Sequence, residues 1–223
     1  DAAENVHGAL YPRGFGLDYR SAAASSVLSD DAHLPPRWLA RSSSLFRAGH
    51  VTAPWSVFVD DDVAEVHFTT ARQESPRGAV MIASQSDGVR AVWAGTERGA
   101  VKISGRAFDL RPQAAEGVTL DLRYRVDQAP ERNVKLGLRC TVPLCGTGAG
   151  AMLDVTPVFK AAPPGTWRTL SIPLSCFTAA GADLAQVEIP FAMETSGRFS
   201  LTLSELSLAQ KTTAAAPRCP DAI

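Results

Sequence analysis

Between Val118 and Val126 the chain alternates without a break. Val118, Leu120, Leu122, Tyr124 and Val126 fall in one phase; Thr119, Asp121, Arg123 and Arg125 fall in the other. Successive side chains of a strand point to opposite faces, so a period of two describes a strand with one face buried and one in water. The next stretch repeats it, with Val134, Leu136, Leu138 and Cys140 inward and Asn133, Lys135 and Arg139 outward. Gln128, Ala129 and Pro130 between them predict a hairpin connection, which would pair the two strands. Later, Val187, Ile189, Phe191 and Met193 alternate with Glu188, Pro190 and Glu194. A Pro in that outward phase predicts an edge strand or a bulged one.

Two departures from strict alternation carry information. In Phe199, Leu201, Leu203, Leu206 and Leu208 the phase slips at Ser204-Glu205, and Trp167 is out of phase with Leu170, Ile172 and Leu174. Each slip predicts a β-bulge or a strand that changes sheets. Further strands are expected around Trp55–Val59, Ala64–Thr70, Ala79–Ala83, Val89–Trp93 and Val101–Ser104. The one helical suggestion is a turn or two near Asp183–Val187. Asp154-Val155-Thr156-Pro157 and Pro163-Pro164-Gly165 read as a long connection. These signals predict an all-β chain: a two-sheet antiparallel β-sandwich of jelly-roll type.

Composition narrows the function classes. With 22 Lys plus Arg against 23 Asp plus Glu, the formal net charge is −1, and no basic block stands out. A nucleic-acid binder needs concentrated positive charge, so no nucleic acid is expected as partner. No run of about 18 apolar residues occurs, so no membrane-spanning helix is expected. The four cysteines, Cys140, Cys145, Cys176 and Cys219, are an even number, which suits disulfides in an oxidising compartment. Cys140 and Cys145 flank a Pro-containing turn, and a bridge from Cys176 to Cys219 would pin a Pro-rich tail. Four buried thiols are the alternative reading. The four histidines show no metal-ligand spacing.

Near the start stands Tyr11-Pro12-Arg13-Gly14-Phe15-Gly16-Leu17-Asp18-Tyr19, whose Pro, glycines and aromatics suit a tight loop-to-strand corner. The motif resembles the signature near the end of the second, α/β domain of family 3 glycoside hydrolases. After it come a small, polar stretch from Ser21 to Ser29 and the pair Pro35-Pro36, a strap that Trp38 would anchor. A second resemblance rests on Gly165-Thr166-Trp167-Arg168-Thr169-Leu170-Ser171-Ile172-Pro173-Leu174-Ser175-Cys176-Phe177. With Ala53-Pro54-Trp55, the segment Asp87 to Trp93 and Leu153 to Pro157 in order, it is similar to galactose-binding-like sandwiches and carbohydrate-binding modules. Together the motifs resemble the C-terminal accessory sandwich of a bacterial subgroup of family 3 exo-β-glucanases and β-glucosidases.

That resemblance implies a division into residues 1–44, the tail of a preceding catalytic α/β domain plus strap; 45–210, the sandwich; and 211–223, a C-terminal tail. It implies a non-catalytic chain, because the nucleophile and acid/base of such hydrolases lie in earlier domains. Glycoside hydrolysis needs two carboxyl groups flanking the bond, and no nucleophile elbow or phosphate-binding loop suggests another chemistry. The implied partners are β-glucan or gluco-oligosaccharide and the upstream catalytic domains. The implied location is periplasmic or extracellular, and the alternative role is a brace for those domains or for an oligomer.

A sugar site needs an aromatic plate for the apolar ring face and polar groups for hydroxyls. Trp55 and Trp93, at strand ends beside turn residues, are the candidate plates, with core packing as the alternative. Trp167 is assigned to structure. Arg123, Arg125, Lys135 and Arg139 are expected to form one row on the outer face of two paired strands, either over a binding surface or as a solvated face. No cofactor is expected beyond a possible structural calcium, for which Asp60, Asp62 and Glu205 are the candidates, since hard cations want clustered carboxylates.

Overall fold

The structure, a computed structural model, describes residues 42–68, 72–140, 150–210 and 219–220. The Tyr11–Tyr19 motif, the strap with Trp38, and Cys145 lie outside the described residues. In chain order the strands are β1 (Ser42–Arg47), β2 (His50–Val51), β3 (Ser56–Asp61), β4 (Glu65–His67), β5 (Arg72–Glu74), β6 (Val80–Gln85) and β7 (Gly88–Ala94). They continue as β8 (Gly99–Ser104), β9 (Val118–Gln128), β10 (Lys135–Arg139), β11 (Ala151–Asp154), β12 (Trp167–Pro173), β13 (Ile189–Thr195) and β14 (Arg198–Gln210). Among the described residues three short helices intervene: α1 (Arg111–Ala115), α2 (Thr156–Ala161) and α3 (Leu174–Ala179).

The strands form two antiparallel sheets. Sheet A runs β12-β9-β14-β7-β6-β5, with β1 and β2 continuing beside the second half of β14. Sheet B runs β11-β10-β13-β8-β3-β4. Their facing sides hold the core. The inward phase of β9 is at most 3% exposed, and Leu136, Leu153, Phe191 and Met193 answer it from sheet B with none. Each large apolar side chain so buried contributes about 1.5–3 kcal/mol. Trp93 stacks on Phe199 at 5.3 Å, Phe199 meets Phe159 at 5.3 Å, and Phe159 meets the edge of Tyr124 at 5.0 Å. The all-β sandwich expected from periodicity is the fold.

The long strand β14 is the spine of sheet A. On one side it pairs with β9 along its length; on the other it pairs first with β7, then with β1. The register shifts between Leu203 and Glu205, where the sequence slips phase. Pro190 likewise lies at a register shift, between β13 and β10, although β13 is interior to its sheet. A bulge removes one ladder position, which accommodates a residue with no N–H.

Four expectations are corrected. β9 and β10 are not a hairpin: they lie in different sheets, and the residues between them arch across the sandwich. β12 has no bulge near Trp167. It pairs with β9 in unbroken register from Trp167 to Pro173, and Leu174 begins a helix instead of continuing the strand. No helix forms at Asp183–Val187. The connection expected at Asp154-Val155-Thr156-Pro157 contains a helix, α2, and α1 forms in the same way at Asp109-Leu110-Arg111-Pro112. In each, an Asp carboxylate accepts the N–H of the first helical residue, at 2.9 and 2.8 Å, and a Pro follows in the first turn. The carboxylate satisfies an otherwise orphaned donor, and Pro needs none there.

Candidate functional site

Unbroken register in β12 decides where Trp167 points. Opposite residues of an antiparallel pair share a face, and Trp167 lies opposite Arg125, in the outward phase of β9. The Trp167 ring therefore stands on the outer face of sheet A, half-buried, with the guanidinium carbons of Arg125 and Arg123 at 5.0 and 5.5 Å from its centroid. Cation–π contacts of this kind contribute about 0.5–1 kcal/mol at exposed sites.

Behind the ring lies a polar network. Arg125 donates through Nε to Asp127 at 3.1 Å and through one terminal nitrogen to Asp87 at 3.1 Å. Its other terminal nitrogen reaches the Thr202 hydroxyl at 3.4 Å. Thr202 donates to Asp127 at 2.7 Å. Arg90 adds a hydrogen bond to Ser200 at 3.2 Å and an ion pair to Asp127 at 3.6 Å. The hydrogen bond to Asp127, then the charges of Asp127 and Asp87, raise the Arg125 pKa above its ordinary value. Arg125 is thus fixed in place. Arg123 is exposed and has no ion-pair partner among the described residues.

This face offers a ring, the guanidinium of Arg123 with no ion pair among the described residues, and hydroxyls and carboxylates already oriented by Arg125. It can stack a flat apolar surface and hydrogen-bond groups at its edge. Asp87 and Asp127 are both ion-paired, the reverse of the unpaired, desolvated setting that prepares a general acid.

The sequence-predicted plates are elsewhere. Trp93 is 2% exposed, and its indole N–H donates to the Gly99 carbonyl at 2.8 Å inside the sandwich. Trp55 is 6% exposed, edge-on to Phe108 at 5.2 Å and packed on Gly105, where a Cβ would lie 2.5 Å from the ring. Both are core residues, because an indole on an inward-phase position fills the inter-sheet space and leaves no ring face to a ligand. Arg123 and Arg125 do lie on an open face, but Lys135 and Arg139 do not join them. These two project from the outer side of sheet B, where Arg139 pairs with Glu194 at 2.7 Å.

The carboxylates proposed for calcium do not converge. Asp62 pairs with Arg98 at 2.8 Å, and buried Asp60 pairs with Lys102. Burial works to lower the Arg98 pKa, but the hydrogen bond to Asp62 and the charges of Asp60 and Glu194 outweigh it and raise it. Glu205 is on sheet A, opposite Arg123 and Arg47. No group of three His, Cys, Asp or Glu placed to hold a metal ion occurs among the described residues. Cys176 is disulfide-bonded to Cys219, with Cα atoms 5.4 Å apart, and Cys140 is disulfide-bonded as well.

Trp167, Thr202, Asp127, Asp87 and Arg90 are the site residues that sequence reasoning missed. The signal for Trp167 was present: it is out of phase with Leu170 and Ile172 because it faces outward, and no bulge is needed to explain that.

The fold recurs in known proteins. The extra C-terminal domain of the exo-1,3/1,4-β-glucanase ExoP from a Pseudoalteromonas species matches with a TM-score of 0.59 and 18% identity, over 78% of this chain and 95% of that domain. Against the whole ExoP enzyme the TM-score is 0.63 at 19% identity, over 81% of this chain and 22% of the enzyme. The family 30 carbohydrate-binding module of the cellulosomal cellulase Cel9D-Cel44B of Clostridium thermocellum matches with a TM-score of 0.54 and 12% identity, over 77% of this chain and 99% of the module. No curated protein sequence matches the chain. At these identities the structural matches establish the fold. No helix among the described residues is long and apolar enough to cross a membrane. A family model described as galactose-binding domain-like matches residues 53–208, most of the chain, and the chain belongs to that family.

Proposed function

We propose that this chain is a non-catalytic carbohydrate-binding sandwich that uses the outer face of sheet A, centred on Trp167, to hold β-glucan for a family 3 exo-β-glucanase or β-glucosidase outside the cell. One observation carries the reading: Trp167 stands on that face against two guanidiniums and beside an ordered polar network. An aromatic plate with hydrogen-bonding groups at its rim is what a pyranose requires, since each sugar has an apolar face and an equatorial ring of hydroxyls. The architecture is shared with a glucanase's extra domain and with a carbohydrate-binding module, which supports the class of role. The affinity asked for is modest. A Kd of about 1 mM is about −4 kcal/mol, within reach of one stacked ring and a few hydrogen bonds. Tethering to an enzyme makes such weak binding useful by raising the local concentration of substrate.

Calorimetric titration with cello- and laminari-oligosaccharides tests this. Trp167→Ala should weaken binding at least tenfold and leave the melting curve nearly unchanged. Binding that survives the substitution, or no binding by the wild-type chain, overturns the reading. A brace for neighbouring domains would then be the remaining role.

A further inference from the structure

An open cleft of about 580 Å³ lies at one end of sheet B, lined by residues other than those around Trp167. Clefts that hold small ligands commonly measure about 300–1,000 Å³. Arg98 enters from the β7–β8 connection between the sheets, Arg132 and Asn133 from the β9–β10 arch, and Lys135 from β10. Two acids, Glu131 and Glu194, complete the charges.

Charge accounting gives the cleft a sign. Glu194 is neutralised twice, by Arg98 at 3.0 Å and Arg139 at 2.7 Å, and Arg98 is further committed to Asp62. Arg132 and Lys135 have no ion-pair partner among the described residues. Two cations are therefore available against one exposed acid, Glu131. Asn133 and Ser196 line the same space and both donate and accept hydrogen bonds.

The walls are held together. The Glu131 N–H donates to the Arg198 carbonyl at 3.0 Å, and a Cβ at Gly197 would lie 2.6 Å from the Arg132 nitrogen. The arch and the β13–β14 connection, which also crosses between the sheets, are thus in backbone contact, which pre-orders the groups they carry. No aromatic side chain is among the described residues lining the cleft, so a neutral glucan finds no plate there.

We propose that this cleft is a second saccharide site, selective for an acidic sugar, whose anionic group is met by Arg132 and Lys135 and whose hydroxyls are met by Asn133, Ser196 and Glu131. Guanidinium and ammonium groups bind a carboxylate or a sulfate ester by the same charge-assisted hydrogen bonds. The site stands independently of the face around Trp167.

The full chain, labelled with nitrogen-15, would be titrated at fixed ionic strength with cellobiouronic acid, glucose 6-sulfate and cellobiose. The expected result is saturable movement of the Arg132, Asn133 and Ser196 amides with at least one acidic probe, the responding probe identifying the anionic group. The Trp167 indole should stay still, and added salt should weaken the response. Arg132→Gln and Lys135→Gln should each weaken it about tenfold, Trp167→Ala not at all, and the amide spectra would verify that every variant is folded. The inference is overturned if neither acidic probe gives a saturable response, if cellobiose moves the same amides equally, or if the double variant binds as the wild type does.

Discussion

Trp93 and Trp167 have the same side chain and opposite environments, and their substitution should separate stability from binding. Trp93 fills the core and has its only polar atom satisfied by Gly99, so Trp93→Ala leaves a cavity and should cost about 3–5 kcal/mol in chemical denaturation. Trp167 loses only surface packing and its cation–π contacts, so Trp167→Ala should cost within about 1 kcal/mol. Equal destabilisation would place both rings in structural roles. Sequence alone ranked the two the other way, with Trp93 as a candidate plate and Trp167 assigned to structure. A Trp beside turn residues reads alike whether it caps a core or faces water, and only the pairing partner decides. Arg123 and Arg125 were legible as outward because β9 alternates without interruption. Thr202 and Asp127 were not, since their meeting depends on the pairing of β9 with β14.

At the scale of elements, two contacts are expected to be indispensable. A Cβ at Gly88 would lie 2.1 Å from the Leu203 carbonyl oxygen, so Gly88→Ala must displace backbone where β7 meets the bulged part of β14. Amide exchange should then accelerate across β7 and leave β10 and β11 in the other sheet less affected; unchanged protection of β7 would contradict this. The turn after β3 depends on Asp61, which accepts N–H groups of Val63, Ala64 and Arg77 at 2.9, 3.2 and 2.7 Å. Burial works to raise the Asp61 pKa, but these backbone bonds and the Ser75 hydroxyl outweigh it and lower it. A lowered carboxylate pKa stabilises the fold above the unfolded value of about 3.9, and that contribution disappears as pH falls through the folded value. Melting temperatures of wild type and Asp61→Asn should therefore differ at neutral pH and converge in acid; a gap independent of pH would show that the charge is not what matters. Strand identity was readable wherever alternation was clean, and the bulge at Glu205 was readable from its phase slip. Strand pairing was not. The stretch between β9 and β10 has the composition of a hairpin turn, yet it spans two sheets, because local turn chemistry does not specify which partner completes a core.

For the whole molecule, the Cys176–Cys219 bridge closes a loop with a sequence separation of 43 and ties the C-terminal segment to the sandwich. Loop-closure entropy gives such a bridge about 4 kcal/mol, so Cys176→Ser should lower the unfolding free energy by a comparable amount, and an unchanged denaturation midpoint would contradict it. In a longer enzyme carrying this sandwich, its deletion should raise KM for polymeric glucan more than for aryl glucosides, as tethering requires. The most direct test of the proposed sugar face follows the four indole N–H resonances during titration with β-glucan oligosaccharides. Trp167 should move and saturate while Trp55 and Trp93, enclosed in the core, stay in place. A stationary Trp167 at saturating oligosaccharide would contradict the account.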